Sequence, residues 1–212
     1  MAKTRPFDLF SREYDQWFEE HRDMYHLELT VLSSLVCPFS RGRCLEIGVG
    51  SGMFAKPLKI GLGIEPSLAM AQKAREKSIQ VALGVAEALP VISECIDCCL
   101  IVTTICFVDD PVLSFKEAFR VLRPGGRIVV GLVDRESPLG QEYQARKEES
   151  RFYGEATFFS CQEIIDLLEI AGFSVDKILQ TLIYEQGRLT QRISQGCGKG
   201  SFVAIRALKT SD

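Results

Sequence analysis

The nine residues CLEIGVGSG, Cys44 to Gly52, constrain this chain more than any others. The apolar run 43–47 reads as a short strand, and Gly48, Gly50 and Gly52 follow it at alternate positions. Glycine has no Cβ, so the backbone can turn tightly there and approach a bound molecule. A short helix is expected over 51–58, with Pro57 near its end, and a helix N-terminus presents free N–H groups and positive potential to an anion. Strand, glycine turn and helix together imply a nucleotide-like ligand carrying a carboxylate or phosphate.

The alternation continues. Strands are expected at 62–64, 79–83, 97–103 and 127–133, and helices at 67–77 and 111–122. In the second helix Val112, Phe115, Phe119 and Leu122 form an apolar stripe, and Pro111 suits a first turn. The apolar run 127–133 is what a strand buried on both faces requires, and Arg123-Pro-Gly-Gly126 breaks the chain before it. Ser160 and Glu163 form a capping box ahead of Ile164, Leu167, Leu168 and Ala171, with Gly172 as the stop. Strands at 175–184 and 201–207, joined by the polar segment 186–200, suggest a terminal hairpin. This pattern predicts an α/β fold: a doubly wound, Rossmann-like sheet of seven mostly parallel strands, helices on both faces, the last strand antiparallel. Two helices precede it. Phe10, Tyr14, Trp17 and Phe18 share one helical face, and 25–36 can form the second.

Size and charge narrow the function. A chain of 212 residues, 46% of them hydrophobic, is expected to form a single domain over 1–212, with a helical cap at 1–42 and a ligand-binding core at 43–212. The formal net charge is -3 and the basic residues are scattered, which argues against a nucleic-acid partner. No apolar leader opens the sequence, and the longest apolar stretch, 98–108, is interrupted by Thr103 and Thr104, so neither a membrane span nor a secretory signal is expected. A cytoplasmic location follows, and the eight cysteines are read as reduced thiols. Cys95, Cys98 and Cys99 have a CxxC spacing but no second Cys or His pair at a matching distance, so no metal is expected. Monomer and homodimer both remain open.

The glycine turn admits two readings. A dinucleotide-binding turn follows GxGxxG, but here the third glycine is Gly52, position 53 is Met, and Glu46 precedes the turn. A second acid, Glu65 in GLGIEPS, stands at the end of the next strand, where a carboxylate can accept hydrogen bonds from two ribose hydroxyls; both readings share it. With CLEIGVGSG, GIEPS, GVAEALP, the strand after Ile96, FKEAFRVLRPGGRIVV and FFSCQEIIDLLEIAGF in this order, the chain resembles the class I S-adenosylmethionine-dependent methyltransferases. The resemblance is to methyltransferase type 11, the group of the ubiquinone and menaquinone biosynthesis enzymes, and it runs from about Arg43 to Phe173.

That resemblance implies S-adenosylmethionine as cofactor. Gly48, Gly50 and Gly52 would lie along its methionine portion with Glu46 near the ammonium, while Glu65 and Pro66 would lie by the ribose. Ala86 would offer backbone to the adenine, flanked by Glu87 and Leu89, and Thr103 and Thr104 would lie under the methionine end. For Ala86 and Leu89, plain core packing is the rival reading. Two departures stand out. Val85 replaces an acid found in many relatives, and Cys106 and Phe107 stand where many carry histidines.

Motifs of nucleic-acid methyltransferases are absent: TTICFVDDP replaces the Asn/Asp-Pro-Pro-aromatic signature, and the sole adjacent Cys and Pro, Cys37-Pro38, have the wrong order for a cytosine C5 enzyme. A small-molecule methyl acceptor is expected, of amine, phenol or quinol type. Departure of a neutral leaving group requires alignment and exclusion of water more than an acid or base. If a proton must leave, Asp109 and Asp134 at strand C-termini are the candidates, ahead of His21, His26, Asp110 and Glu136. Asp110-Pro111 can instead cap a helix, and both histidines can be solvated helix residues. Tyr14, Trp17, Phe18 and His21 form either a lid over the acceptor or ordinary core packing. A non-catalytic cofactor-binding protein and a nucleotide-binding oxidoreductase are the alternative functions.

Overall fold

The structure is a computed structural model that describes residues 3–36, 43–185 and 187–210; Cys37, Pro38 and the cap–core junction at 42 lie outside these residues. Three helices open the chain, α1 (Arg5–Leu9), α2 (Ser11–Glu20) and α3 (Arg22–Val36). There follow β1 (Cys44–Ile47), β2 (Leu62–Glu65), α4 (Leu68–Glu76), β3 (Gln80–Leu83), β4 (Ile96–Val102), α5 (Pro111–Val121) and β5 (Leu122–Val133). The remainder is α6 (Pro138–Ala145), α7 (Cys161–Ile170), β6 (Phe173–Thr181), β7 (Tyr184–Glu185), β8 (Arg188–Leu189), β9 (Ser194–Gln195) and β10 (Phe202–Lys209).

The sheet order is β3-β2-β1-β4-β5-β10-β6-β9. Pairing is parallel from β3 through β5, and β10 enters antiparallel between β5 and β6, so the expected terminal hairpin forms. The seven expected strands are present, and the two-residue β9 adds an eighth by pairing with β6.

All seven residues of β4 are buried, and their alternation divides the core. Cys99 and Ile101 face Phe115 and Ala118 of α5 and Ile164 and Leu168 of α7. Cys98, Leu100 and Val102 face the opposite layer, with Val31, Leu32 and Leu35 of α3 and Ala74 of α4. A strand covered on both faces buries every side chain whatever its parity, which is why thiols substitute here for small aliphatic residues.

Local chemistry sets the helix starts. Ser67 accepts from Met70 N ahead of α4, Asp110 accepts from Leu113 N ahead of α5, and Ser160 and Glu163 make the expected capping box.

Three expectations are corrected. The helix at 51–58 is instead a run of turns, because Pro57 and a return of the chain to Ile60, whose N–H donates to Ala55 O, leave no length for regular pairing. The leading segment contains three helices rather than two. Of these, α3 is the cover of one sheet face: Val31, Leu32 and Leu35 are fully buried, each stabilising by about 1.5–3 kcal/mol. Helix α6 was not expected; Ser137 caps it, accepting from Gly140 N.

Candidate active site

The cavity lies at the C-terminal ends of the parallel strands, the side on which ligands sit in doubly wound sheets. Its volume is about 680 Å³, inside the range of roughly 300–1,000 Å³ usual for small-molecule sites.

Its floor begins at the glycine turn. Gly48 N and Val49 N both donate to Ile64 O, at 2.8 and 3.0 Å, folding the turn back over β2. Gly48 has φ +72°, and a Cβ there would stand 2.2 Å from Thr104 Cγ2, so the turn touches the loop after β4 without room for a side chain. Thr104 Oγ1 lies 3.2 Å from Gly48 O, completing that contact. Gly50, at φ +55°, has open space before it: a Cβ would meet only Met70 Cε at 3.6 Å and Tyr14 Oη at 3.7 Å, two side chains that line the cavity.

Two N–H donors hold the Glu65 carboxylate. Gly50 N donates to Oε2 and Ser67 N to Oε1, both at 2.9 Å. Burial nevertheless pushes this carboxyl up to about 7, the two hydrogen bonds opposing the shift. Glu46 is more extreme. It is 1% exposed, its Oε2 has no hydrogen-bond partner among the described residues, and burial, with Glu65 close by, raises its pKa well above the usual carboxylate range.

The residues expected at the site divide into two groups. Gly48, Gly50, Glu65, Pro66, Ala86, Glu87, Thr103, Thr104 and Asp109 line the cavity, as do Tyr14, Trp17 and Phe18 of α2. Glu87 also ties down the loop after β4, accepting from Asp109 N at 2.7 Å and Asp110 N at 3.2 Å. The others stand away from the lining. Glu46, 1% exposed, is at the end of β1 next to the glycine turn that forms the cavity floor. Gly52 is not on the lining and packs closely, since a Cβ there would lie 2.5 Å from Ile79 Cδ1. Leu89 is core, with its N–H donating to Glu117 Oε2. Asp134 is buried outside the cavity and organises the entry to α6, its Oδ1 accepting from Glu136 N at 3.0 Å. His21 stacks on Trp17, ring centroids 4.6 Å apart, without lining the cavity itself, and His26 is exposed.

Several lining residues were not anticipated. Tyr143 of α6, with Phe152 and Tyr153 beyond it, closes one end, and Phe7 of α1 packs on Phe107 at 5.0 Å. Glu28 of α3 is the least expected. It is 4% exposed and lines the cavity. Its signal was present in the sequence: Glu28, Val31, Leu32 and Leu35 stand at i, i+3, i+4 and i+7, which places a carboxyl on the buried stripe of α3.

A methyltransferase-domain family model matches residues 45–130. A solved structure from Thermotoga maritima, described as a SAM-dependent methyltransferase and possible histamine N-methyltransferase, is 47% identical; the superposition covers 98% of this chain and 100% of that one, with a TM-score of 0.91. The chain belongs to the S-adenosylmethionine-dependent methyltransferases. An uncharacterized protein of Methanocaldococcus jannaschii is 40% identical over 204 residues, 96% of this chain and 98% of its own. A more distant methyltransferase relative, a ubiquinone biosynthesis O-methyltransferase of Parvibaculum lavamentivorans, is 30% identical over 144 residues, which span 63% of this chain and 56% of that enzyme.

S-adenosylmethionine is thus the cofactor of this methyltransferase, and the donor set fits it. The unsatisfied Glu46 Oε2 suits an ammonium N–H, and Glu65, at the end of β2, suits vicinal hydroxyls. No helix among the described residues is long and apolar enough to cross a membrane.

Proposed function

We propose that this cavity is where a methyl group passes to a small-molecule acceptor. One observation carries the reading: an internal space of about 680 Å³ whose lining joins Gly48, Gly50, Glu65 and Ala86 to aromatic side chains from α1, α2 and α6. The Thermotoga protein's description as a possible histamine N-methyltransferase supports an acceptor of that size.

Glu65 would hold the ribose hydroxyls and Glu46 the ammonium, with Pro66 beside the ribose. Gly48 and Gly50 would give backbone contact along the methionine portion, Thr103 and Thr104 would underlie its end, and Ala86 and Glu87 would border the adenine. When bound, the cofactor supplies an electrophilic methyl group on a sulfonium. The chain's own task is to orient the acceptor and exclude water. Helix α2 would serve the second task, since Tyr14, Trp17 and Phe18 line the cavity. Of the two acids expected to act as base, Asp109 lines the cavity and is retained, and Asp134 is set aside.

The test is calorimetric titration of the protein with S-adenosylmethionine and with NAD, followed by product analysis over small amines, phenols and quinols beside transfer RNA and protein. Binding of S-adenosylmethionine with methylation confined to the small molecules is expected. Methylation of a macromolecule alone would overturn the reading.

A further inference from the structure

Glu28 presents a physical problem. Glu28 is 4% exposed, sits on the buried stripe of α3 and lines the cavity, and among the described residues its carboxyl has no hydrogen bond or ion pair. Such a group persists where something that enters the site completes it.

The surroundings indicate what enters. Glu28 shares the cavity lining with three phenols, Tyr14 of α2, Tyr143 of α6 and Tyr153. Aromatic rings continue from there without a gap. Tyr143 and Tyr153 stack at 5.2 Å, Tyr153 and Phe107 at 6.1 Å, and Phe7 bridges Phe107 at 5.0 Å and Phe152 at 5.6 Å. Ring faces carry negative potential and attract a desolvated cation. Acidic residues outnumber basic ones along the described lining, six against Lys3 and Arg146. Arg146 is already engaged by Glu142 and Glu149.

We propose that Glu28 and the aromatic wall beside it form the acceptor subsite, and that this subsite takes a compact amine whose ammonium the Glu28 carboxylate holds and deprotonates. The inference rests on the cavity being the site of methyl transfer. One N–H proton passes from the ammonium to Glu28, which becomes a neutral acid, and the nitrogen keeps the electron pair. That pair forms the new N–C bond while the C–S bonding pair stays on sulfur. The products are a methylated ammonium and a neutral thioether, and Glu28 gives its proton to water as product leaves. Burial pushes the Glu28 carboxyl up to about 8, which brings it nearer the basicity of an alkylamine than an exposed glutamate would be.

The experiment measures binding without turnover. Benzylamine, phenethylamine and cyclohexylamine, each with its matching alcohol and carboxylate, are titrated by calorimetry into the wild type, Glu28→Gln and Glu28→Asp, with S-adenosylmethionine affinity measured in parallel. In the wild type at least one amine should bind about tenfold or more tighter than its alcohol, with the carboxylate weakest. Amine affinity should rise as pH passes through about 8. Glu28→Gln should remove the amine preference and the pH rise, leaving cofactor affinity within about twofold, and Glu28→Asp should keep part of the preference. Thermal unfolding confirms that the variants are folded. Equal affinity for amine and alcohol, absence of binding by every amine, or a preference that survives in Glu28→Gln would overturn the proposal. Failure of the wild type to bind S-adenosylmethionine would instead sink the reading of the cavity itself.

Discussion

At the scale of single residues, the three glycines of one turn perform three different tasks. Gly48 allows contact between two loops. Gly48→Ala forces a Cβ against Thr104, whose branched side chain cannot swing clear, and should cost about 1–3 kcal/mol of stability, read from denaturant unfolding. Gly50 has room for a side chain but shares that room with the cavity. Gly50→Val should leave the fold in place by circular dichroism and weaken S-adenosylmethionine at least about tenfold, because a branched residue resists the left-handed backbone and fills the space before it. Glu65→Ala removes a carboxylate held ready by Gly50 N and Ser67 N. Cofactor binding should weaken by about 1.5–3 kcal/mol, and unchanged calorimetric affinity would take Glu65 out of the site.

At the scale of elements, the leading helices part company. α3 is core, and Leu32→Ala should destabilise the protein by about 2–5 kcal/mol with cofactor affinity per folded molecule unchanged. α2 turns Tyr14, Trp17 and Phe18 into the cavity and is fastened by polar contacts: Asp15 pairs with Lys73 of α4 at 2.8 Å and accepts from Ser51 Oγ at 2.5 Å. Phe18 anchors α2 on Phe54 and Tyr25, whereas Tyr14 lines the cavity beside Gly50. Tyr14→Ala should therefore lower turnover far more than it lowers cofactor affinity. Trp17 is the sole tryptophan, so its emission should change when cofactor and acceptor are both present. Emission indifferent to both, with Tyr14→Ala costing thermal stability alone, would make α2 a packing element.

At the scale of the whole molecule, the ligand-free protein buries acids that resist ionisation. Burial raises Glu28 from the usual 4.5 to about 8 and Glu65 to about 7. Between those values and 4.5 the unfolded chain has lost each proton and the folded chain keeps it, so the unfolded state binds fewer protons and stability falls as pH rises. The slope approaches about 1.4 kcal/mol per pH unit for each acid, up to about pH 7 for Glu65 and pH 8 for Glu28. Thermal midpoints measured from pH 5 to 8 should decline without ligand. S-adenosylmethionine should flatten the part of the decline that belongs to Glu65, because its hydroxyls favour the ionised acid. A midpoint independent of pH, with Glu28→Gln equal to wild type, would show that the carboxyls are not buried as described.

Sequence alone determined the order of the seven main strands and of α4, α5 and α7, the capping box at Ser160, the glycine turn and the acid at the end of β2. These are short-range matters: apolar periodicity, glycine's freedom of φ, and side-chain oxygens meeting nearby N–H groups act within a few residues. It missed the turns at 51–58, where tertiary closure overrode helical pattern, and α6, which has a weak apolar stripe. Only the tertiary structure separated Gly50 from Gly52, Asp109 from Asp134 and Trp17 from His21, pairs alike in type and adjacent or equivalent in pattern. Which member faces the cavity depends on where the sheet sets each strand end relative to α2, α3 and α6, over distances that no local pattern records. Glu28 shows the division most clearly. Its place on the stripe of α3 was legible, but its meaning appeared when α6 and the segment around Phe152 brought rings to the same space from more than a hundred residues away.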